Sequence, residues 1–220
     1  MQHSPLTAAV LAAAVLCLPG CAARAPREAL TSLPLLASFD FEDGSREGWR
    51  FTDPDAWQVQ DGTLALTGAS AYEPPVRSPR NIAWIDGARV GDFVLEADVM
   101  YTGRDYNHAD LCFFLGGTTP SQFYYAHVAH EADPNANTVF IVNDADRTGI
   151  ALERSGGQPW GSDWRKVRVQ RIGSVITVFL DGERVMHADD ATLGAGEVGL
   201  GSFDDTGRFD NIRLHGEALP

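Results

Sequence analysis

The chain has 220 residues, of which 21% are charged and 44% hydrophobic, and its formal net charge is -13. That balance excludes nucleic acid as a partner, because phosphate binding needs a basic footprint, and it disfavours polyanionic glycans. Beyond the N-terminal region about 180 residues remain, a length that suits one domain.

Leu6 to Leu18 is an apolar run too short to span a bilayer as a mature helix. It ends in Leu18-Pro19-Gly20-Cys21, which resembles a bacterial lipoprotein box. The resemblance implies a signal peptide over 1–21 and lipidation of Cys21; the alternative is an ordinary secretory signal cut near Ala22-Ala23. Both place the protein outside the cytoplasm. Ala22 after the cysteine implies sorting to the outer membrane of a Gram-negative cell. The expected location is therefore the bacterial cell envelope, periplasmic or outer-membrane, with a lipid anchor as the membrane contact. Residues 22–35 read as a tether and 36–217 as a single folded domain. Cys17 leaves with the signal and Cys21 is modified, so Cys112 stands alone, without a disulfide, and reads as a small core residue.

After residue 37 no segment sustains a 3.6-residue period. Short alternating runs bounded by Gly, Asp, Pro and Asn dominate. Expected strands are 36–41, 57–60, 63–67, 81–84, 92–101, 109–115, 122–130, 138–142, 164–172, 175–180, 183–188, 197–202 and 209–215. Asp61-Gly62 and Asp181-Gly182 each join two such runs and signal tight hairpins. So many short strands predict a β-sandwich, since a single sheet of that size curls or splits.

Several motifs then point to a family. Phe39-Asp40-Phe41-Glu42-Asp43-Gly44 with Gly48-Trp49, and the run Trp57 to Leu64, resemble the opening strands of concanavalin A-like jelly rolls. Gly91 to Val99, Leu180-Asp181-Gly182-Glu183-Arg184-Val185, Gly199 to Phe203 and Phe209 to Leu214 resemble their later strands. Over residues 36–216 the chain is similar to bacterial 3-keto-disaccharide hydrolase-like domains and related envelope lipoproteins. The fold this implies is an all-β, two-sheet jelly-roll sandwich.

The segment Asn107 to Arg147 concentrates the polar chemistry. Ala109, Leu111, Phe113 and Leu115 share one face of a strand, and His108, Asp110, Cys112 and Phe114 the other. Tyr124, Ala126 and Val128 form the likewise apolar face of the next strand, leaving Phe123, Tyr125 and His127 opposite. If the strands are neighbours, His108, Asp110, Tyr125 and His127 cluster on one outward surface, expected to be a concave carbohydrate-engaging site. The bland alternative is a polar face whose side chains only bond one another. His108-x-Asp110 with a later histidine also mimics a two-His-one-carboxylate metal triad, though such spacing is common by chance.

Asn137, Asn143 and Arg147 offer the planar, multi-pronged donors and acceptors that sugar hydroxyls demand, while Asn135 and Asp144 read as turn residues. Trp160 and Trp84 are candidate sugar-stacking platforms; Trp164 opens a strand and reads as core. Asp40, Glu42 and Asp210 match, by resemblance to sandwich lectin modules, a structural calcium site, with a surface acid cluster as the equal alternative. Glu96-Ala97-Asp98-Val99-Met100 resembles the acidic strand of laminarinase-type hydrolases, but Met100 stands where the final acid belongs, which disfavours a two-carboxylate glycosidase.

The family resemblance implies one reaction, the cleavage of glycosides oxidised to a ketone at C3. The ketone acidifies the C2 hydrogen, a histidine base removes it, and a divalent metal or an Arg stabilises the enolate before the C1 oxygen leaves. His127 is the expected base, with Tyr125 or His108 assisting, and His108 and Asp110 are the alternative metal ligands. A non-catalytic lectin-like module and a structural envelope lipoprotein are the competing readings.

Overall fold

The computed structural model describes residues 33–68 and 70–219. The signal segment, Cys21 and most of the tether lie outside the described residues. No helix among the described residues is long and apolar enough to cross a membrane.

Fifteen strands form among the described residues. In chain order they are β1 (Leu35–Phe39), β2 (Trp49–Phe51), β3 (Trp57–Gln60), β4 (Thr63–Leu66), β5 (Asn81–Tyr101), β6 (Asp110–Thr119), β7 (Gln122–Ala129), β8 (Thr138–Asn143), β9 (Thr148–Gly149), β10 (Ala151–Arg154), β11 (Arg165–Ile172), β12 (Val175–Leu180), β13 (Glu183–Asp189), β14 (Gly196–Ser202) and β15 (Gly207–Ala218). They build two layers. The first runs β2-β5-β14-β6-β7-β8-β9, using the N-terminal half of β5. The second runs β10-β13-β12-β11-β5-β15, using the C-terminal half of β5, with β1 and β4 side by side along the far edge of β15.

β5 belongs to both layers. The sequence predicts two separate strands there, 81–84 and 92–101. One continuous strand results because pairing resumes beyond a bulge: Gly199 sits opposite Trp84, while Glu197 sits opposite Arg89. Gly87 supplies the positive φ of 71° that the bulge needs. The two Asp-Gly hairpins form as the sequence predicts, with φ of 50° and 66° at Asp61 and Gly62 and 50° and 85° at Asp181 and Gly182. β2, β9 and β10 have two to four residues and no alternation, so periodicity has nothing to detect.

The main core fills the space between the layers. β6 contributes Leu111, Phe113 and Leu115, β7 contributes Tyr124, Ala126 and Val128, and the second layer answers with Phe93, Leu95, Val167, Val169, Ile176, Val178 and Leu214. The opposite face of the first layer is also apolar. Ile82, Trp84, Cys112, Phe114, Phe123, Tyr125, Phe140 and Val142 form a second buried cluster, against which Val76 packs. A strap, residues 70–80, holds Val76 there. It is tied at one end by Asp53, which accepts from the Ala71 amide at 2.7 Å, and at the other by Asp146, which accepts from the Arg77 amide at 2.9 Å.

Candidate functional site

Period-2 alternation places Asp110 and Cys112 on the outer face of β6, and Tyr125 and His127 on that of β7. Cys112 sits directly opposite His127 and Phe114 opposite Tyr125. The outer face is not a solvent surface, however. Tyr125 and Cys112 are fully buried, and Asp110 and His127 are 2% and 3% exposed. Strap and loop cover what parity alone leaves open.

The Asp110 carboxylate is saturated. Oδ1 accepts from the Ser202 hydroxyl and the Phe203 amide, both at 3.0 Å, and from the Cys112 thiol at 3.2 Å. Oδ2 faces His127 Nε2 at 3.4 Å. Burial pushes this carboxyl up, but its neighbour His127 and the hydrogen bonds from the Phe203 amide and Cys112 outweigh burial and hold it below the ordinary range. Beside it, the Asp110 amide donates to Asp205 Oδ2 at 3.0 Å. Asp205 also accepts from the Tyr101 and Tyr106 hydroxyls, at 3.0 and 2.8 Å. Burial and the Asp110 charge raise the Asp205 carboxyl.

His127 is held in one tautomer. The backbone amide of Asn137 can only donate, and it donates to His127 Nδ1 at 3.3 Å. Nδ1 is therefore the acceptor nitrogen and Nε2 carries the hydrogen, pointed at Asp110. Neither ring nitrogen is free to take a proton from a ligand, which argues against His127 as the base.

The same observation tests a metal. Among the described residues, the one group of three or more metal-type side chains whose donor atoms fall within 4.8 Å of one another is Asp110, Cys112 and His127. A divalent ion needs a lone pair on Nε2 and a thiolate sulfur. Here Nε2 bears hydrogen, and burial first, then the Asp110 charge, push the Cys112 thiol well up. Without an ion, the three residues form a hydrogen-bonded cluster. His108 is outside this group, because it lies in the turn before β6 rather than beside Asp110 on the strand. Asp40, Glu42 and Asp210 are not gathered to ligand distance either. Burial and the repulsion of Asp98, Glu42 and Asp40 raise the Asp210 carboxyl, as in a surface acid cluster.

The open part of the site is a cavity of about 180 Å³ over this cluster. His108, Tyr106, Asn135, Arg147, Phe203 and Asp204 are among the residues that line it, with His127 and Asp110 at its base. The His108 side chain is 47% exposed, and its Nε2 meets Asp133 Oδ2 at 2.6 Å. Asp133 also accepts from the Asn135 amide at 2.6 Å, so the turn that shapes the rim also fixes the carboxylate that orients His108. Arg147 is clamped: it donates to the Tyr125 hydroxyl at 2.8 Å and the Asn135 carbonyl at 3.0 Å. Its guanidinium lies 4.6 Å from the ring centres of both Phe140 and Phe203.

Other expected site residues fall elsewhere. Asn137 is fully buried with φ of 51°; its side chain donates to the Ser155 carbonyl and accepts from the Ala129 amide, so it is a turn residue. Tyr125 is inaccessible, and burial raises its hydroxyl far above the ordinary range. Asn143 is exposed, but its strand position lies five residues from that opposite His127, about 17 Å along β8. Trp160 is 4% exposed, stacks on Tyr101 at 6.2 Å and donates to the Ala109 carbonyl. It belongs to the core and cannot stack on a sugar. Gly157 brings its loop inward, against the His130 backbone, where a Cβ would lie 2.1 Å from the carbonyl oxygen. Trp164, expected in the core, is 43% exposed instead, and Trp84 is buried. Asp133 belongs to the polar segment legible in the sequence, whereas Phe203 and Asp205 escape it because a loop distant in the chain delivers them, and Tyr106 because it lies just before that segment.

No curated protein matches the sequence. Solved structures with this fold include the carbohydrate binding module CBM66 from Bacillus subtilis, at 19% identity and a TM-score of 0.59 over 77% of this chain and 96% of that one. Metal-free lectin I-B4 from Griffonia simplicifolia is 15% identical with a TM-score of 0.56, over 81% of this chain and 98% of that one. Domain 4 of AbnA, a GH43 extracellular arabinanase from Geobacillus stearothermophilus in complex with arabinotriose, is 12% identical with a TM-score of 0.54, over 86% of this chain and 95% of that one. These matches establish the concanavalin A-like jelly roll. The model of the 3-keto-alpha-glucoside-1,2-lyase-like domain matches residues 38–215, and the chain belongs to that family.

Proposed function

We propose that the domain cleaves 3-keto-glycosides by elimination, with His108 as the base. The observation that carries this reading is the contrast between the two histidines of the cavity. His127 has both ring nitrogens engaged and is buried. His108 has Nε2 held by Asp133 and its ring open to the cavity. A histidine whose far nitrogen is oriented by a carboxylate keeps the near nitrogen as a proton acceptor.

In this reading His108 Nδ1 takes the C2 proton of a sugar ring seated in the cavity. The C–H electron pair forms the C2=C3 bond, and the charge moves to the C3 oxygen. Arg147 uses two of its five N–H groups internally, and the remaining three are available to that oxygen. As C3=O re-forms, the C1=C2 bond forms and the C1–O bond breaks. The departing oxygen takes the proton back from His108. Carbohydrate is thus the proposed ligand, and the Asp110–His127–Asp205 cluster is a rigid base for the cavity rather than a participant.

The test is turnover of a 3-keto-glucoside, with exchange of the C2 hydrogen in heavy water as a second readout. His108→Ala should lose at least about a hundredfold in rate, the scale of a lost general base. Undiminished turnover by that variant would remove His108 from the mechanism. Binding by the natural protein without turnover or C2 exchange would establish the non-catalytic lectin-like role instead. We also propose envelope anchoring through Cys21, on the strength of Leu18-Pro19-Gly20-Cys21; labelling with a radioactive fatty acid that survives Cys21→Ser would refute it.

A further inference from the structure

A second, larger cavity lies away from the one above. A groove of about 930 Å³ runs over the outer face of the second layer. The layer's register assembles it. Arg213 of β15 stands opposite Glu96 of β5, Glu96 opposite Arg168 of β11, and Arg168 opposite Phe179 of β12. Cross-strand partners share a face, so these four side chains form one row on the outside. The next row holds Asp98 and Lys166, also directly opposite each other.

Three features make this row a prepared surface. First, its side chains fix one another. Lys166 Nζ meets Asp98 Oδ1 at 2.6 Å, Asn211 donates to Asp98 Oδ2 at 3.0 Å, and the Arg168 guanidinium lies 4.2 Å above the Phe179 ring. Second, Arg168, which lines the groove, has its Nε buried without a partner among the described residues. Native folds seldom leave such atoms unsatisfied without a use for them. Third, the charges lining the groove balance: Glu96, Asp98 and Asp181 against Lys166, Arg168 and Arg213.

We propose that this groove binds a short neutral oligosaccharide, separately from the His108 cavity on the other layer. Balanced charge rejects a polyanion, because any anionic chain passing Arg213 and Arg168 must also pass Glu96 and Asp98. Donors and acceptors of both kinds, in rows, match hydroxyl groups that both donate and accept. The four strands from β12 to β15 span about 14 Å at their ordinary spacing, the reach of a short oligosaccharide rather than of a single ring. The site stands on its own residues and does not depend on the elimination chemistry.

The experiment is a nuclear magnetic resonance titration of the protein with laminaritriose, cellotriose, maltotriose and xylotriose at millimolar concentration. At least one should shift the amides of Lys166 to Gln170 and Asn211 to Arg213. Glu96→Gln, which keeps side-chain volume, and Arg213→Gln, which removes the charge at an exposed position, should each weaken that binding about tenfold, the loss expected for a charged hydrogen bond. His108→Ala should leave it unchanged. The proposal is overturned if none of the four sugars shifts these amides, if both groove variants bind as the natural protein does, or if His108→Ala abolishes the effect. Preferential binding of a sulfated disaccharide, suppressed by salt, would also overturn it.

Discussion

Arg147 is the residue whose substitution most directly tests how the cavity is built. Its guanidinium holds the hydroxyl of Tyr125, a side chain with no exposure, and is sandwiched by Phe140 and Phe203. Arg147→Ala strands that hydroxyl in a dry cluster, at a cost of about 1–3 kcal/mol, and forfeits two ring contacts of about 0.5–1 kcal/mol each. Tyr125→Phe removes only the hydroxyl and leaves the guanidinium free to turn toward the cavity, at about 1 kcal/mol. In the double variant no stranded hydroxyl remains. The two losses should then fall short of additivity by about 1–2 kcal/mol. Urea unfolding followed by tryptophan fluorescence reads this coupling, and thermal unfolding should show about 2–4 °C per kcal/mol for a domain of this size. Asn143→Ala, at an exposed position on the same sheet, is the control and should stay within about 0.5 kcal/mol. Additivity of Arg147→Ala and Tyr125→Phe to within about 0.3 kcal/mol would refute the clamp, and with it the fixed guanidinium on which enolate stabilisation depends.

Two further outcomes concern titration. Burial and the neighbouring Asp110 keep Cys112 protonated, so the native protein should resist iodoacetamide even at alkaline pH and react once unfolded in urea; prompt labelling of the folded protein would contradict the buried cluster. Burial acts to raise the Asp133 carboxyl, but hydrogen bonds from the Asn135 amide and His108 prevail and lower it. A carboxylate lower in the folded state than in the unfolded contributes stability above the unfolded value of about 3.9, which is lost as pH falls through the folded value. Asp133→Asn should therefore flatten the acid limb of the stability curve; carbon-detected titration placing Asp133 at or above about 3.9 would show that His108 is not oriented by it.

Alternation in the sequence was enough to set the longer strands and the inward faces of β6 and β7, because a half-buried strand imposes its period on the residues one by one, and the Asp-Gly pairs set the hairpins. The same parity put Asp110, Cys112, Tyr125 and His127 together on the outer face. It left open whether that face meets water. Residues 70–80 decide this by packing Val76 on the second cluster, a contact between segments with no shared period. The roles of the two histidines were likewise invisible in one dimension. His127 is locked by an amide ten residues away and by a saturated carboxylate, whereas His108 is oriented by an aspartate 25 residues on, in another loop. Trp160 and Trp164 exchange their expected places for a similar reason: Gly157 turns one loop inward, against the His130 backbone. Local pattern fixes which side of a strand a residue occupies; which loops close over that side, and which nitrogen they leave free, is settled only when distant segments pack.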